Sequence, residues 1–246
     1  MLLAGLASAG AAEPDDAAST ERVVLLHGLG RQAGSMSRMA AGLERAGFEV
    51  CNIDYASLDL PIAKIASERV LPAIERCFSP SPVRIHFVTH SLGGILVRQL
   101  VANGDLPNVG RVVMLGPPNQ GSELADVLGR LHLAQDLRPP AAGQLTTAAD
   151  SVPNQLGPAT FELGVLTGDR SVNPVLSLLI PGADDGKVAV AAAELEGMKD
   201  FRVIHTSHTF IMRRRVVIAQ TVCFLRSGAF AEQEQTLALC DPWEAR

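Results

Sequence analysis

The sequence predicts an α/β domain: a parallel sheet covered by helices on both faces. Three observations lead there. Short apolar, β-branched runs recur from residue 22 onwards, and segments with apolar residues at helical spacing separate them. The runs are also apolar on both faces rather than alternating, as strands buried on both sides require.

Taken in order, Val23–Leu26 is the first strand, and Met36–Ala46 reads as a helix stopped by Gly47. Glu49–Ile53 is the second strand. Pro61–Cys77 carries Ile62, Ile65, Ala66, Val70 and Ile74 on one helical face, with Pro61 suited to the first turn. Val83–Thr89 is a strand, Leu92–Ala102 a helix closed by Asn103-Gly104, and Val109–Leu115 a further strand. Phe161–Leu166, Arg202–His205 and a last helix Phe210–Leu225 complete the series. Between Pro117 and Thr160 the rhythm breaks. No strand is expected there, but Leu124, Leu128 and Leu131 share a helical face, and Pro139-Pro140, Pro153 and Pro158 follow. The segment reads as a small cap or lid at about 117–160, with an ordinary crossover helix and loop as the alternative.

Composition limits the function. The chain has 246 residues, 47% of them hydrophobic, which provides for a single sizeable core. Twenty-one Lys and Arg against 26 Asp and Glu give a net charge of −5, the wrong balance for neutralising phosphate backbones, so a nucleic-acid partner is not expected. Eight Phe, one Tyr and one Trp also leave little for base stacking or sugar platforms. Residues 1–12, MLLAGLASAGAA, have the apolar stretch and small-residue end of a secretory signal without its basic start. Residues 1–21 are therefore expected to be a signal peptide and loose leader, 22–246 the folded domain. The location is then secreted or periplasmic, or cytoplasmic if the leader is no signal. No stretch is long and apolar enough to predict an integral membrane span.

Four cysteines allow three pairings, and none has metal-ligand spacing to a second Cys or a His, so no metal site is expected. One or two disulfides are expected of an exported chain, Cys223 with Cys240 first; Cys51 and Cys77 are left open between a second pair and buried thiols.

The chemistry concentrates in two places. Thr89-His90-Ser91-Leu92-Gly93-Gly94 lies between a strand and a helix, where a sharp turn would expose the Ser91 hydroxyl and require a small residue at Gly93. The bland alternative is a serine N-cap. Thr89 stands where the motif usually has glycine. Ser91 would also sit at a helix amino terminus, which favours developing negative charge. His27-Gly28-Leu29-Gly30 follows the first strand, and its glycines would let a loop present the Leu29 N–H. Together with the Leu92 N–H this would form an oxyanion hole. A phosphate loop is the rival, but the Lys-Ser/Thr it needs is missing.

A first strand followed by HGLG, then VTHSLGG, a late DDGKV and a final SHTF together resemble the α/β-hydrolase superfamily. The nearest likeness is to small bacterial esterases and lipases with a histidine before the nucleophile. It covers roughly residues 22–226. The resemblance implies a mainly parallel sheet flanked by helices and a triad in the chain order Ser, acid, His. On that pattern His208, in Ser207-His208-Thr209-Phe210, is the base, with His205 as rival but lying within the predicted strand. Asp185, in the D-G-x-V stretch, is the acid, with Asp169 and then Asp184 as competitors. Gly28, His90 and Pro117 are expected to line the substrate site, the last from the turn Gly116–Ser122 at the carboxyl edge of the sheet. His86 and His132 are read as structural.

The function these residues predict is a serine ester hydrolase acting on a small-molecule or lipid ester with an apolar acyl group, through an acyl-enzyme and without a cofactor. The same site in an acyltransferase or peptidase, or a non-catalytic binding protein of this fold, are the alternatives. A monomer is expected.

Overall fold

The computed structural model describes residues 20–78, 84–130 and 139–244. The leader expected over residues 1–21 falls almost wholly outside these, as do Leu131, His132 and Val83. Six strands form one sheet: β1 (Arg22–Leu26), β2 (Glu49–Ile53), β3 (Ile85–His90), β4 (Val109–Leu115), β5 (Leu163–Gly168) and β6 (Asp200–Ile204). Every pairing is parallel, in the order β2-β1-β3-β4-β5-β6. The helices are α1 (Ser37–Arg45), α2 (Ile62–Lys64), α3 (Leu71–Cys77), α4 (Leu92–Ala102), α5 (Glu123–Arg130), α6 (Pro140–Gly143), α7 (Val152–Gln155), α8 (Pro174–Ser177), α9 (Arg215–Ser227) and α10 (Glu234–Cys240).

The alternation of strand side chains divides the core into two layers. Val24 and Leu26 of β1, Phe87 of β3 and Val112 and Met114 of β4 face the layer beneath α4 and the Ile62–Cys77 helix. Val23 and Leu25, Val88, and Val113 and Leu115 face α1 and α9. These side chains are almost fully buried, so the doubly apolar runs that predicted the sheet are explained by cover on both faces. The α1–α9 contact is close: a β-carbon on Gly42 would fall 2.5 Å from Ile218.

Two expectations are corrected and one open alternative is decided. The helix over Pro61–Cys77 is not continuous α, since Ile65–Val70 forms a π turn between α2 and α3. Pro72, at the start of α3, has no N–H and crowds the carbonyl one turn back, and the wider turn before it accommodates the ring. The last helix begins at Arg215 rather than Phe210, preceded by a 3-10 turn at Ile211–Arg213. Cys51 and Cys77 are not buried thiols. β2 and the end of α3 bring their α-carbons to 6.1 Å and they are disulfide-bonded. Cys223 and Cys240 pair as expected, tying α10 to α9.

No strand of the sheet falls among the described residues of 117–160. The second half of this segment is built into the core: Ala141, Leu145, Val152, Leu156 and Ala159 join the layer over α4. Arg98 fastens it there. This buried guanidinium donates to the carbonyls of Asn119, Pro153 and Gly157 and to Asn119 Oδ1, at 2.8–3.2 Å, and burial pushes its pKa down to about 10.

Candidate active site

β3 ends in a tight turn into α4, and Ser91 occupies it with φ 52 and ψ −121. Among the described residues it is the one non-glycine with positive φ, a conformation that holds about 1–3 kcal/mol of strain. Its N–H is held by the Leu115 carbonyl of β4 at 2.9 Å. The turn is possible because the residues around it are small. A β-carbon at Gly93 would lie 2.7 Å from the Leu26 carbonyl, and one at Gly28 would lie 2.8 Å from His90 Nδ1 and 3.2 Å from Ser91 Cβ. Thr89, at the motif's usual glycine, is accommodated from the other side: it is fully buried, and a β-carbon at Gly94 would lie 3.3 Å from its hydroxyl.

The loop after β1 is fixed by its own first residue. His27 is buried, stacked on Tyr55 with ring centroids 4.0 Å apart, and burial lowers its pKa, which keeps it neutral. Nδ1–H donates to the Gly28 carbonyl at 2.9 Å, and Nε2 accepts from the Tyr55 N–H. The Tyr55 hydroxyl donates to the His27 carbonyl, and the Gly30 N–H to Ser57 Oγ at 2.9 Å. No acceptor for the Leu29 N–H occurs among the described residues. Leu92, as the first residue of α4, has no intrahelical acceptor for its N–H.

The third piece lies beyond β5 and β6. Asp185 and His208 are both buried, and Asp185 Oδ2 accepts from His208 Nδ1 at 2.7 Å. The other carboxylate oxygen, Oδ1, accepts from the N–H groups of Lys187 at 3.0 Å and Val188 at 2.9 Å, which locks its orientation. The Asp185 carbonyl accepts from the His208 N–H at 2.9 Å. With Nδ1 donating, His208 Nε2 carries a free lone pair.

The rivals are elsewhere. His205 follows β6 rather than lying within it, because the strand runs from Asp200 to Ile204. It bonds Asp169 at 2.9 Å with its side chain 75% exposed, so the two competing residues pair with each other on the surface. Asp184 binds the Gly186 N–H and the Ser177 hydroxyl.

A cavity of about 170 Å³ joins these pieces, lined by Gly28, Leu29, His90, Ser91 and His208 together with Pro118, Leu124, Ala125, Ala142, Leu145 and Val188. Pro117 does not line it. Pro117 is buried, and the turn after β4 offers Pro118 and Ser122 to the cavity instead. His90 donates from Nε2 to the His208 carbonyl at 3.0 Å, and the two rings lie 4.7 Å apart. Burial, and then the neighbouring His208, hold the His90 pKa well below the usual histidine value. A neutral His90 spares a charged His208 a like-charged neighbour. Sequence reasoning missed three residues here. Arg31 and Lys187 also line the cavity, and Arg98 was visible as a lone charge inside the apolar helix LGGILVRQLVA.

No protein-family model matches the chain, and no curated protein sequence matches it. Solved structures do. The mature lipase BlEst2 of Bacillus licheniformis superposes with a TM-score of 0.64 at 20% identity, over 87% of this chain and 94% of the lipase. Phospholipase PlaB of Legionella pneumophila gives 0.57 at 23% identity, over 71% of this chain and 45% of the phospholipase. The metagenomic carboxyl esterase MGS0156 gives 0.54 at 20% identity, over 79% and 66% of the two chains. At such identities the likeness carries architecture alone. With the parallel order of the six strands, it establishes that this chain has the α/β-hydrolase fold.

Proposed function

We propose that the protein is a serine ester hydrolase. The observation that carries the reading is the buried Asp185–His208 hydrogen bond opening onto the same cavity as Ser91 in its strained turn. Ser91 Oγ attacks the ester carbonyl while His208 Nε2 takes its proton, and the oxyanion is held by the N–H groups of Leu29 and Leu92. His208 returns the proton to the departing alcohol, leaving an acyl-serine. Water then attacks, its proton passing to His208 and on to Ser91 as the acid leaves. Asp185 holds the imidazole in the tautomer that keeps Nε2 free and stabilises the imidazolium. The names of the structural neighbours, a lipase, a phospholipase and an esterase, agree with this reading.

The segment 117–160 acts as a small cap that supplies the acyl wall. The cavity is small beside the roughly 300–1,000 Å³ of drug-sized sites, and its aliphatic lining suits a short acyl chain. The test is labelling by a fluorophosphonate probe together with a p-nitrophenyl ester panel from acetate to palmitate. Wild-type protein should label and should prefer the short esters, whereas Ser91→Ala should not label. Ser91→Ala and His208→Ala should each lose about a thousandfold or more in kcat. Equal turnover by wild type and Ser91→Ala would refute the mechanism.

A further inference from the structure

Two cations line the cavity beside Ser91: Arg31, directly after the HGLG loop, and Lys187, two residues past Asp185. Neither side chain forms an ion pair or hydrogen bond among the described residues. The described lining contains no carboxylate. Asp54 and Asp59 line a neighbouring groove with Arg31, and Asp185 precedes Lys187 by two residues; each of these acidic groups has another partner. Asp54 accepts from the Ala33 N–H at 2.8 Å, Asp59 pairs with Arg69, and both oxygens of Asp185 are taken by His208 and by backbone N–H groups. Lys187 is only half-exposed, and its backbone is pinned, its N–H to Asp185 and its carbonyl to the Ser122 hydroxyl at 2.8 Å. In a chain of net charge −5, one small cavity thus carries two cations and no carboxylate among its described lining residues.

We propose that Arg31 and Lys187 form an anion subsite, so that the preferred substrate is an ester whose alcohol portion carries a phosphate monoester. Resting on the serine-hydrolase reading, this names its substrate class. Two like charges facing one pocket match a dianion better than a single carboxylate, and a guanidinium can bind phosphate oxygens in a bidentate manner. The aliphatic wall of Leu124, Ala125, Ala142 and Leu145 lies on the cap and takes the acyl chain. The cations lie on the loops after β1 and beyond β5, leaving them the alcohol end. Burial, and then the charge of Arg31, hold the Lys187 ammonium below its usual range, against the pull of Asp185. An anion placed between the two would relieve that repulsion.

The test compares 1-butyrylglycerol 3-phosphate with uncharged 1-butyrylglycerol. Affinity is measured by calorimetry on the Ser91→Ala protein, with and without Arg31→Gln and Lys187→Gln. Because the serine is already removed, this arm does not depend on turnover; fluorophosphonate labelling of the wild type tests the hydrolase reading separately. The phosphate ester should bind at least about tenfold more tightly, the ratio that 1.4 kcal/mol of differential binding gives. The advantage should shrink to about twofold in the double glutamine variant and weaken with added salt. Circular dichroism should show the variants folded, as neither side chain bonds to another described residue. Equal affinities in the parent protein, or an advantage that survives both substitutions, would overturn the proposal. So would binding to phosphatidylglycerol vesicles with no preference among the soluble esters, since that would place the anion preference on the surface.

Discussion

Asp185→Asn offers the sharpest test of how the site works. Asn is nearly isosteric with Asp, and its amide oxygen can keep accepting from the Lys187 and Val188 N–H groups, now held by Oδ1. That choice puts the amide NH₂ where Oδ2 faced His208 Nδ1 at 2.7 Å. Two donors cannot face each other there, so the imidazole must carry its proton on Nε2, which can then no longer accept the Ser91 proton. Restoring the productive tautomer would leave the buried His208 Nδ1–H without an acceptor, at about 1–3 kcal/mol. Losing the charged acceptor for the imidazolium removes roughly 1.5–3 kcal/mol more. The sum, about 3–6 kcal/mol, corresponds to a fall in kcat of roughly 10² to 10⁴. Asp169→Asn is the control, because Asp169 pairs with an exposed His205 away from the cavity. It should stay within about twofold of wild type, the range of a surface substitution. Steady-state hydrolysis of p-nitrophenyl butyrate by both variants reads the difference. A larger loss in Asp169→Asn, or a loss of less than about tenfold in Asp185→Asn, would refute the assignment of the acid.

Further outcomes follow from the same geometry. Ser91→Gly should raise the melting temperature relative to Ser91→Ala by the equivalent of about 1 kcal/mol, because glycine accepts φ 52 without strain; equal melting temperatures would contradict a strained turn. Arg98→Leu should lower unfolding stability by at least about 3 kcal/mol in denaturant titrations, since it strands buried carbonyls on Asn119, Pro153 and Gly157. Arg98→Lys should recover only part of that, having no planar fork to reach both sides. The depressed pKa of His90 sets an acid limit. Below its ordinary value near 6.5 the unfolded chain binds a proton that the folded chain refuses, so stability falls as pH drops from there towards the folded pKa. Its share is about 1 kcal/mol between pH 6.5 and 5.5. In His90→Gln the measured pH slope of stability over that interval should be shallower, and an unchanged slope would assign the effect to other groups.

How much of this was legible in the sequence depends on how local the cause is. The strands could be read because being buried on both faces selects β-branched apolar runs, and the Ser91 turn because one tight backbone geometry dictates its neighbours. Boundaries set by distant partners could not. Arg202–His205 looked like a strand, but β6 begins at Asp200, whose carboxylate receives the Phe230 N–H from beyond α9 at 2.7 Å. The Cys51–Cys77 bond depends on the end of α3 folding back over β2, which no spacing rule foretells. Asp185 and Asp169 were hard to separate because each follows the sheet in a turn-forming context. Burial separates them: one carboxylate has both oxygens held by N–H groups, while the other meets an exposed imidazole.

The segment 117–160 shows where motion can and cannot enter such a site. A lid that swings as one body would have to take Ala141, Leu145 and Val152 out of the core and break the four hydrogen bonds of Arg98. It would also part the Gln144 side chain from the Ile62 N–H, bonded at 2.7 Å. Bonds to a buried charged donor contribute about 1.5–3 kcal/mol each, so opening residues 139–160 approaches local unfolding. The part of the cavity wall they supply is therefore preformed. On the proposed reading, acyl selectivity then rests on fixed wall side chains such as Ala142 and Leu145, which can be exchanged one at a time, and not on a closing motion.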